Sequence, residues 1–242
     1  MLERGLAESL AKARAMILAG EVRVTGHERL TAGAMIPSGA RIEIVGGASR
    51  YASRGGIKLE GALDDFGVSV RDKICLDVGA STGGFTDCLL QHGARRVFGA
   101  DVSSDQLDWK LRQDPRVVPI ERNARYLKAG DLENSPVEIV TVDVSFISVA
   151  TILPAVVAAA GPRAEYLILV KPQFELPRAD VGAGGIVRDP SLHERAIERV
   201  RAATQAAGLR VIGVRASRLA GAEGNQEFFI HARGIGAVPH DS

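Results

Sequence analysis

Cysteine is scarce in this chain, with 2 in 242 residues, Cys75 and Cys88. They lack metal-ligand spacing and are too few for a disulfide framework, so buried, reduced thiols in a reducing compartment are expected. The 5 histidines, at positions 27, 92, 193, 231 and 240, form no zinc pattern either, and no metal is expected. Long apolar runs are also missing. The longest, 149–160, is interrupted by Pro154 and falls far short of a bilayer span. No apolar h-region is visible at the N-terminus, so no secretory signal is read there, and a cytoplasmic protein with no membrane span is expected. Neither charge sign dominates: 30 Lys+Arg face 29 Asp+Glu, a net of +1. Aromatics make up only 5%, beside an ordinary globular 46% hydrophobic and 24% charged residues.

The length allows one or two domains and ample core. Charge is unevenly spread along it. Residues 1–54 hold 8 Lys+Arg against 5 Asp+Glu, a net of +3, and the remainder carries −2. A mildly basic small unit beside a slightly acidic larger one suits an RNA-contacting appendage.

The most informative stretch is Leu76-Asp77-Val78-Gly79-Ala80-Ser81-Thr82-Gly83-Gly84-Phe85-Thr86-Asp87. A buried strand from Ile74 breaks into a glycine-rich turn and then a helix. Glycines at 79, 83 and 84 permit a sharp turn and close approach to a ligand, with free N–H groups at the helix start. The spacing is not GxGxxG, which argues against a nicotinamide oxidoreductase. An acidic residue in the strand followed by GxxxGG instead resembles the first motif of S-adenosylmethionine-dependent methyltransferases. Asp101 closes the next strand, 22 residues after Gly79, where open α/β folds place a carboxylate on a ribose.

From residue 74 the pattern alternates strand and helix, as in a doubly wound sheet. Strands are expected near 74–78, 96–101, 116–120, 137–142, 165–170, 209–215 and 227–232, with helices near 84–92, 104–112, 148–160 and 191–207. The connection from Ser217 to Gln226 is too short for a crossover helix, so the last two strands should pair antiparallel. Seven strands ending in an antiparallel hairpin match the class I, Rossmann-like methyltransferase layout.

Residues 1–46 have a pattern of their own. Leu6, Leu10, Ala13, Ile17 and Leu18 recur at helical spacing, with Gly20 as a stop. Val22-Arg23-Val24, a Gly26 turn and Arg41-Ile42-Glu43-Ile44-Val45 follow. So small an α+β unit buries little core alone and is expected to be an appendage. The small, glycine-led stretch 47–54 reads as a linker, and 55–242 as the main domain, opening on a helical face of Ile57, Leu59, Leu63 and Phe66. The run Arg4-Gly5-Leu6-Ala7, followed by Ala19-Gly20-Glu21-Val22-Arg23-Val24-Thr25-Gly26, resembles the RNA-binding module of ribosomal protein S-four and certain pseudouridine synthases. It lacks the Arg-Leu-Asp segment with which that module usually begins. The resemblance implies RNA contacts from Arg4, Arg14 and Arg23, with Arg54 beside them.

Four charged residues belong to the ligand edge of such a sheet. Lys58 precedes the first sheet strand, Asp143 closes the fourth, Lys171 closes the fifth, and Glu227 opens the last. In an open α/β sheet the crevice lies outside the carboxyl ends of the parallel strands. A ribose hydroxyl is a poor nucleophile and must lose its proton as it attacks. A lysine can take that proton only if its pKa falls from about 10.4 toward neutrality. Lys58 would supply a like charge to depress Lys171, while Asp143 and Glu227 would orient the two ammonium groups and oppose the depression. Sequence leaves the winning term open. Lys171 is expected as the base because it ends the apolar run 166–170 directly before a proline. The bland role for Asp143 is a helix N-cap for the segment from Ser148.

The chain resembles the TlyA family of ribosomal RNA methyltransferases, related to the FtsJ-type ribose 2′-O-methyltransferases, over nearly its whole length. The resemblance rests on Ser53-Arg54-Gly55-Gly56-Ile57-Lys58-Leu59, 76–90, 109–117, Asp143-Val144-Ser145-Phe146-Ile147-Ser148, 170–175 and 184–190. It implies a catalytic set of Lys58, Asp143, Lys171 and Glu227, and an S-adenosylmethionine site involving Asp77, Gly79, Ser81, Thr82, Gly83, Gly84, Phe85, Asp101 and Asn123. Ribosomal RNA, free or in an assembled subunit, is the implied partner. Two stretches depart from the family: Val102-Ser103-Ser104-Asp105-Gln106-Leu107 replaces Val-Gly-Tyr-Gly-Gln-Leu, and Glu121-Arg122-Asn123 is one residue shorter than Glu-Arg-Thr-Asn. Some family members are labelled haemolysins, which raises a membrane-active alternative. The apolar span or surface that this needs is not evident in the sequence. A non-catalytic RNA-binding protein is disfavoured because all four implied catalytic residues are present.

Overall fold

Ile74-Cys75-Leu76-Asp77-Val78 and Tyr166-Leu167-Ile168-Leu169-Val170 are buried throughout, as strands must be when helices cover both faces of a sheet. In the computed structural model, which describes residues 1–7, 10–18, 22–25, 30–31, 33–44, 50–161, 163–221 and 223–234, they are β3 (Ile74–Val78) and β7 (Glu165–Val170). The expected Gly20 stop, Gly26 turn and first part of the linker (47–49) lie outside the described residues.

The main sheet also contains β4 (Arg96–Asp101), β5 (Val117–Glu121), β6 (Ile139–Val142), β8 (Leu209–Ala216) and β9 (Phe228–Gly234). Its order is β5-β4-β3-β6-β7-β9-β8, parallel except for β9, which runs antiparallel to both β7 and β8. The expected terminal antiparallel pair is therefore present. Side chains alternate between the two faces with the period of a strand. Leu76, Val78, Tyr166, Ile168 and Val170 join one apolar cluster with α5 (Val149–Ala160) and α7 (Pro190–Ala206). Cys75, Leu167 and Leu169 join the other, with α2 (Gly55–Phe66) and α3 (Gly84–Gln91). Fully burying one such aliphatic side chain is worth about 1.5–3 kcal/mol, so the two clusters dominate the stability of this layer.

The segment expected as one helix over 104–112 is split. A 3-10 turn (Ser104–Gln106) and α4 (Trp109–Gln113) are separated by extended Leu107. Each piece has its own cap: Ser103 accepts from the Asp105 N–H and Asp108 from the Lys110 N–H. Two capping side chains five residues apart restart the backbone where apolar spacing alone suggested continuity. A short helix, α6 (Pro172–Glu175), was not expected, and it starts with proline at its first position.

Near the N-terminus, α1 (Leu10–Leu18), β1 (Val22–Val24) and β2 (Ile42–Ile44) surround a small apolar cluster of Met16, Val22 and Val24. The two strands pair antiparallel. The described part of the expected linker is docked to the larger unit. Tyr51 is 2% exposed, and the Ala52 N–H donates to Asp87 of α3 at 2.7 Å.

Candidate active site

Strand order creates the site. The chain leaves β3 toward β4 on one side and meets β6 on the other, so a crevice opens at the carboxyl end of β3. Gly79 turns there with φ 88°, and a Cβ on it would lie 2.1 Å from the Asp143 carbonyl oxygen beyond β6. Only glycine allows this approach. Ser81, also at positive φ (48°), donates its N–H to Asp101 Oδ2 at 2.9 Å. Asp101 Oδ1 accepts from Val102 N–H at 2.7 Å, so a half-buried carboxylate at the end of β4 holds the turn from below. Thr82 is half-buried, and Gly83, at φ 92°, is the N-cap residue of α3.

Asp77 lies beneath this turn and is wholly buried. Its oxygens accept from Thr86 at 2.7 Å and Thr141 at 2.9 Å. Burial pushes its carboxyl up to about 7 despite the two hydroxyl donors, and the Asp143 charge adds to the rise. Phe85 also points into the core, stacked on Phe229 with ring centroids 6.2 Å apart. Asn123, beyond β5, spends its side-chain oxygen on the Arg125 N–H at 3.0 Å. Thus Asp77 and Phe85 support the crevice from within, and Asn123 caps a turn at its edge.

The four charged residues expected to act together do converge. β6, β7 and β9 are neighbours, so Asp143 and Lys171 follow adjacent parallel strands, and Glu227 directly precedes β9, whose Phe228 pairs with Val170. Lys171 Nζ pairs with Asp143 Oδ1 and donates to Ser145 Oγ at 2.9 Å. Lys58 reaches in from α2 and meets Glu227 Oε2 at 2.6 Å. Helix α2 is held close because the Tyr51 ring fills the space where Gly56 has no side chain. Lys58 is 9% and Glu227 2% exposed, so neither is a solvated surface charge.

The electrostatics of the set answer the question left open by sequence. Burial favours neutral Lys171, but the charges of Asp143 and Glu227 and the Asp143 hydrogen bond outweigh it, and the ammonium holds its proton more tightly than a free lysine. Burial raises the Glu227 carboxyl, with Lys58 and Lys171 opposing. Asp143 does not cap the helix from Ser148. The first N–H of α5, on Val149, goes to Glu175 Oε1 at 2.7 Å instead.

One residue at the mouth was missed by reasoning from sequence. Phe146 is 92% exposed at φ 66°, with its ring 5.2 Å from that of Phe174. A large side chain in that backbone region costs on the order of 1–3 kcal/mol. Nothing in the string Val144-Ser145-Phe146-Ile147 signals a positive φ. The arginines expected to touch RNA are not gathered at this edge by any contact in the structure. Arg14 and Arg23 are exposed on α1 and β1, Arg54 stands at the start of α2, and Arg4 donates to the Ser38 and Ala40 carbonyls of its own unit.

Comparison with known proteins adds the family. The model of FtsJ-like methyltransferases matches residues 51–234. The chain belongs to the FtsJ-like methyltransferase family. It is 44% identical over 235 residues to the 16S/23S rRNA (cytidine-2′-O)-methyltransferase TlyA of Mycobacterium tuberculosis, covering 96% of this chain and 87% of that one. A solved Streptococcus thermophilus protein described as a candidate hemolysin is 41% identical, with TM-score 0.76, over 97% of this chain and 86% of its own. Fold alone is shared with Aeropyrum pernix fibrillarin, which was solved with bound S-adenosyl-L-methionine: 17% identity, TM-score 0.51 and 74% of each chain. The family resemblance and the Rossmann-like methyltransferase fold read from sequence are both confirmed. No helix among the described residues is long and apolar enough to cross a membrane.

Proposed function

We propose that this protein transfers a methyl group from S-adenosylmethionine to a ribose 2′-hydroxyl of ribosomal RNA in the cytoplasm, with Lys171 as proton acceptor. The carrying observation is the buried set of Lys58, Asp143, Lys171 and Glu227 at the crevice edge of a methyltransferase-family sheet. The crevice suits the cofactor: Asp101 offers carboxylate oxygens to vicinal ribose hydroxyls, and the backbone of the turn through Gly79, Ser81, Thr82, Gly83 and Gly84 would embrace the methionine end. When bound, the cofactor supplies an electrophilic methyl group on a cationic sulfur. As the 2′-oxygen takes the methyl group and the carbon–sulfur bond breaks to leave a neutral thioether, the free-amine form of Lys171 would take the hydroxyl proton at Nζ, while Lys58, fixed by Glu227, would orient the nucleotide. Exposed Phe146, next in the chain to the Ser145 that meets Lys171, offers a face for a base to stack on. The relative that methylates cytidine 2′-oxygens in 16S and 23S rRNA supports this substrate class. The N-terminal unit, with exposed Arg14 and Arg23, serves as an RNA-binding module.

Because Asp143 and Glu227 hold the proton on Lys171, the reactive free amine is a minor form near neutrality. Single-turnover methylation of rRNA should therefore climb about tenfold per pH unit through the neutral range. Lys171→Arg keeps the charge but cannot act as a base. It should bind cofactor and RNA and lose ~10²–10⁴-fold in rate. Lys58→Arg should lose less. A near-normal rate for Lys171→Arg with an inactive Lys58→Arg would exchange the two roles.

A further inference from the structure

Helix α6 is only four residues long, yet each of its ends is tied to the same loop, 143–149. At its start, Lys171 meets Asp143 and Ser145. At its end, Glu175, 2% exposed, accepts from Ser148 Oγ at 2.6 Å through Oε2 and from Val149 N–H at 2.7 Å through Oε1. Between them the rings of Phe146 and Phe174 stand 5.2 Å apart. Nothing in the methyl-transfer chemistry calls for Glu175. Its two oxygens bond to Ser148 and Val149 and to none of the crevice set, and Ser148, the residue at the helix cap position, makes no side-chain cap of its own.

We propose that Glu175 is a positioning residue that fixes the 143–149 loop against α6, and so holds Asp143 and Ser145 on Lys171 and Phe146 at the crevice mouth. The inference rests on the reading of Lys171 given above. Glu175 ties down the carboxyl-terminal half of a loop whose amino-terminal half carries the groups that touch Lys171. A loop with a large side chain at positive φ is strained, and strain of this kind persists only where neighbouring contacts over-determine the backbone. Both Glu175 oxygens supply such contacts, and both are shielded from water. Losing them frees the loop to relax and carries Asp143 and Phe146 out of register with Lys171. A displacement of about 1 Å at reacting groups can cost ~10²-fold in rate.

The test compares Glu175→Ala, Glu175→Gln, Ser148→Ala and Lys171→Ala in the full-length protein, using S-adenosylmethionine and rRNA, with cofactor affinity measured in parallel. Val97→Ala, a buried β4 position in the apolar cluster of α2 and α3 on the other face of the sheet, serves as a control for lost stability. Glu175→Ala should lower kcat about 10- to 100-fold with cofactor affinity unchanged. Glu175→Gln should recover most of the rate, because its amide oxygen can accept from Val149 N–H and its NH₂ can donate to the Ser148 hydroxyl. Ser148→Ala should fall in between. Val97→Ala, melting at a similarly reduced temperature, should keep its kcat. Equal kcat losses in Val97→Ala and Glu175→Ala, or no loss in Glu175→Ala while Lys171→Ala is inactive, would overturn the positioning role. Full activity in Lys171→Ala would instead remove the reading of Lys171 on which it rests.

Discussion

Asp101 and Glu227 are both acidic residues at the crevice, but they are tied into the protein differently. Asp101 is half-buried and bonded to backbone N–H groups of its own neighbourhood, so its loss should be felt mainly by the cofactor. A hydrogen bond to a charged group is worth about 1.5–3 kcal/mol, so Asp101→Ala should weaken S-adenosylmethionine binding by roughly 10- to 100-fold in calorimetry. Unchanged affinity in a folded variant would remove Asp101 from the cofactor site. Glu227 is the one ion-pair partner of buried Lys58 among the described residues, and removing one member of a buried pair leaves an uncompensated charge. Such losses cost about 3–5 kcal/mol, so Glu227→Ala should lower stability by that order in urea denaturation, beyond any effect on rate. A change below about 1 kcal/mol would mean that water already reaches Lys58. The identities of these residues were readable in sequence because strand ends in a parallel sheet are where such groups can act. Their depth was not. Lys58 and Glu227 look like surface charges singly, and only the β7–β9 register and the seat of α2 on Tyr51 bury them.

At the scale of elements, β9 joins the buried charged set at one end to a clamp at the other. Where Glu227 precedes it, the strand borders the crevice. Near its far end His231 and Arg233 both contact Glu165, the first residue of β7, at 2.6 Å and 2.9 Å. Burial pushes the Glu165 carboxyl up, but hydrogen bonds from His231 and Arg233 and their charges more than reverse this, from 4.5 down to about 2. A depressed acid stabilises the fold above its unfolded pKa and loses that contribution as pH falls through the folded one. The stability difference between the parent and Glu165→Gln should therefore be constant above pH 4.5, at up to about 3 kcal/mol, and shrink toward pH 2. A difference independent of pH across that window would show that the clamp works by packing alone. The long strands were legible because their apolar runs admit few alternatives, as with 166–170. The 104–113 region was not, because the caps at Ser103 and Asp108 cut a continuous helical spacing into two pieces. Helix α6 is too short to show a period, and the positive φ of Phe146 is imposed by tertiary contacts rather than by the residue itself.

For the whole molecule, the proposed function divides the work: the basic N-terminal unit would grip RNA and the methyltransferase sheet would modify it. If Arg14 and Arg23 contact phosphates, replacing both by alanine should weaken rRNA binding and make the logarithmic salt dependence shallower by about 1 per contact, with cofactor affinity unchanged. An unaltered salt slope would make the unit a structural appendage rather than an RNA-binding one. The central claim concerns where the methyl group goes, and it is tested most directly by locating that group. Purified protein is incubated with ribosomal subunits and isotope-labelled S-adenosylmethionine, and the RNA is digested to nucleosides and resolved by mass spectrometry. The label should appear on the ribose 2′-oxygen, protecting the adjacent phosphodiester bond from alkali, and should be absent with Lys171→Arg. Label on a base, or equal ribose labelling by the Lys171→Arg variant, would contradict the account.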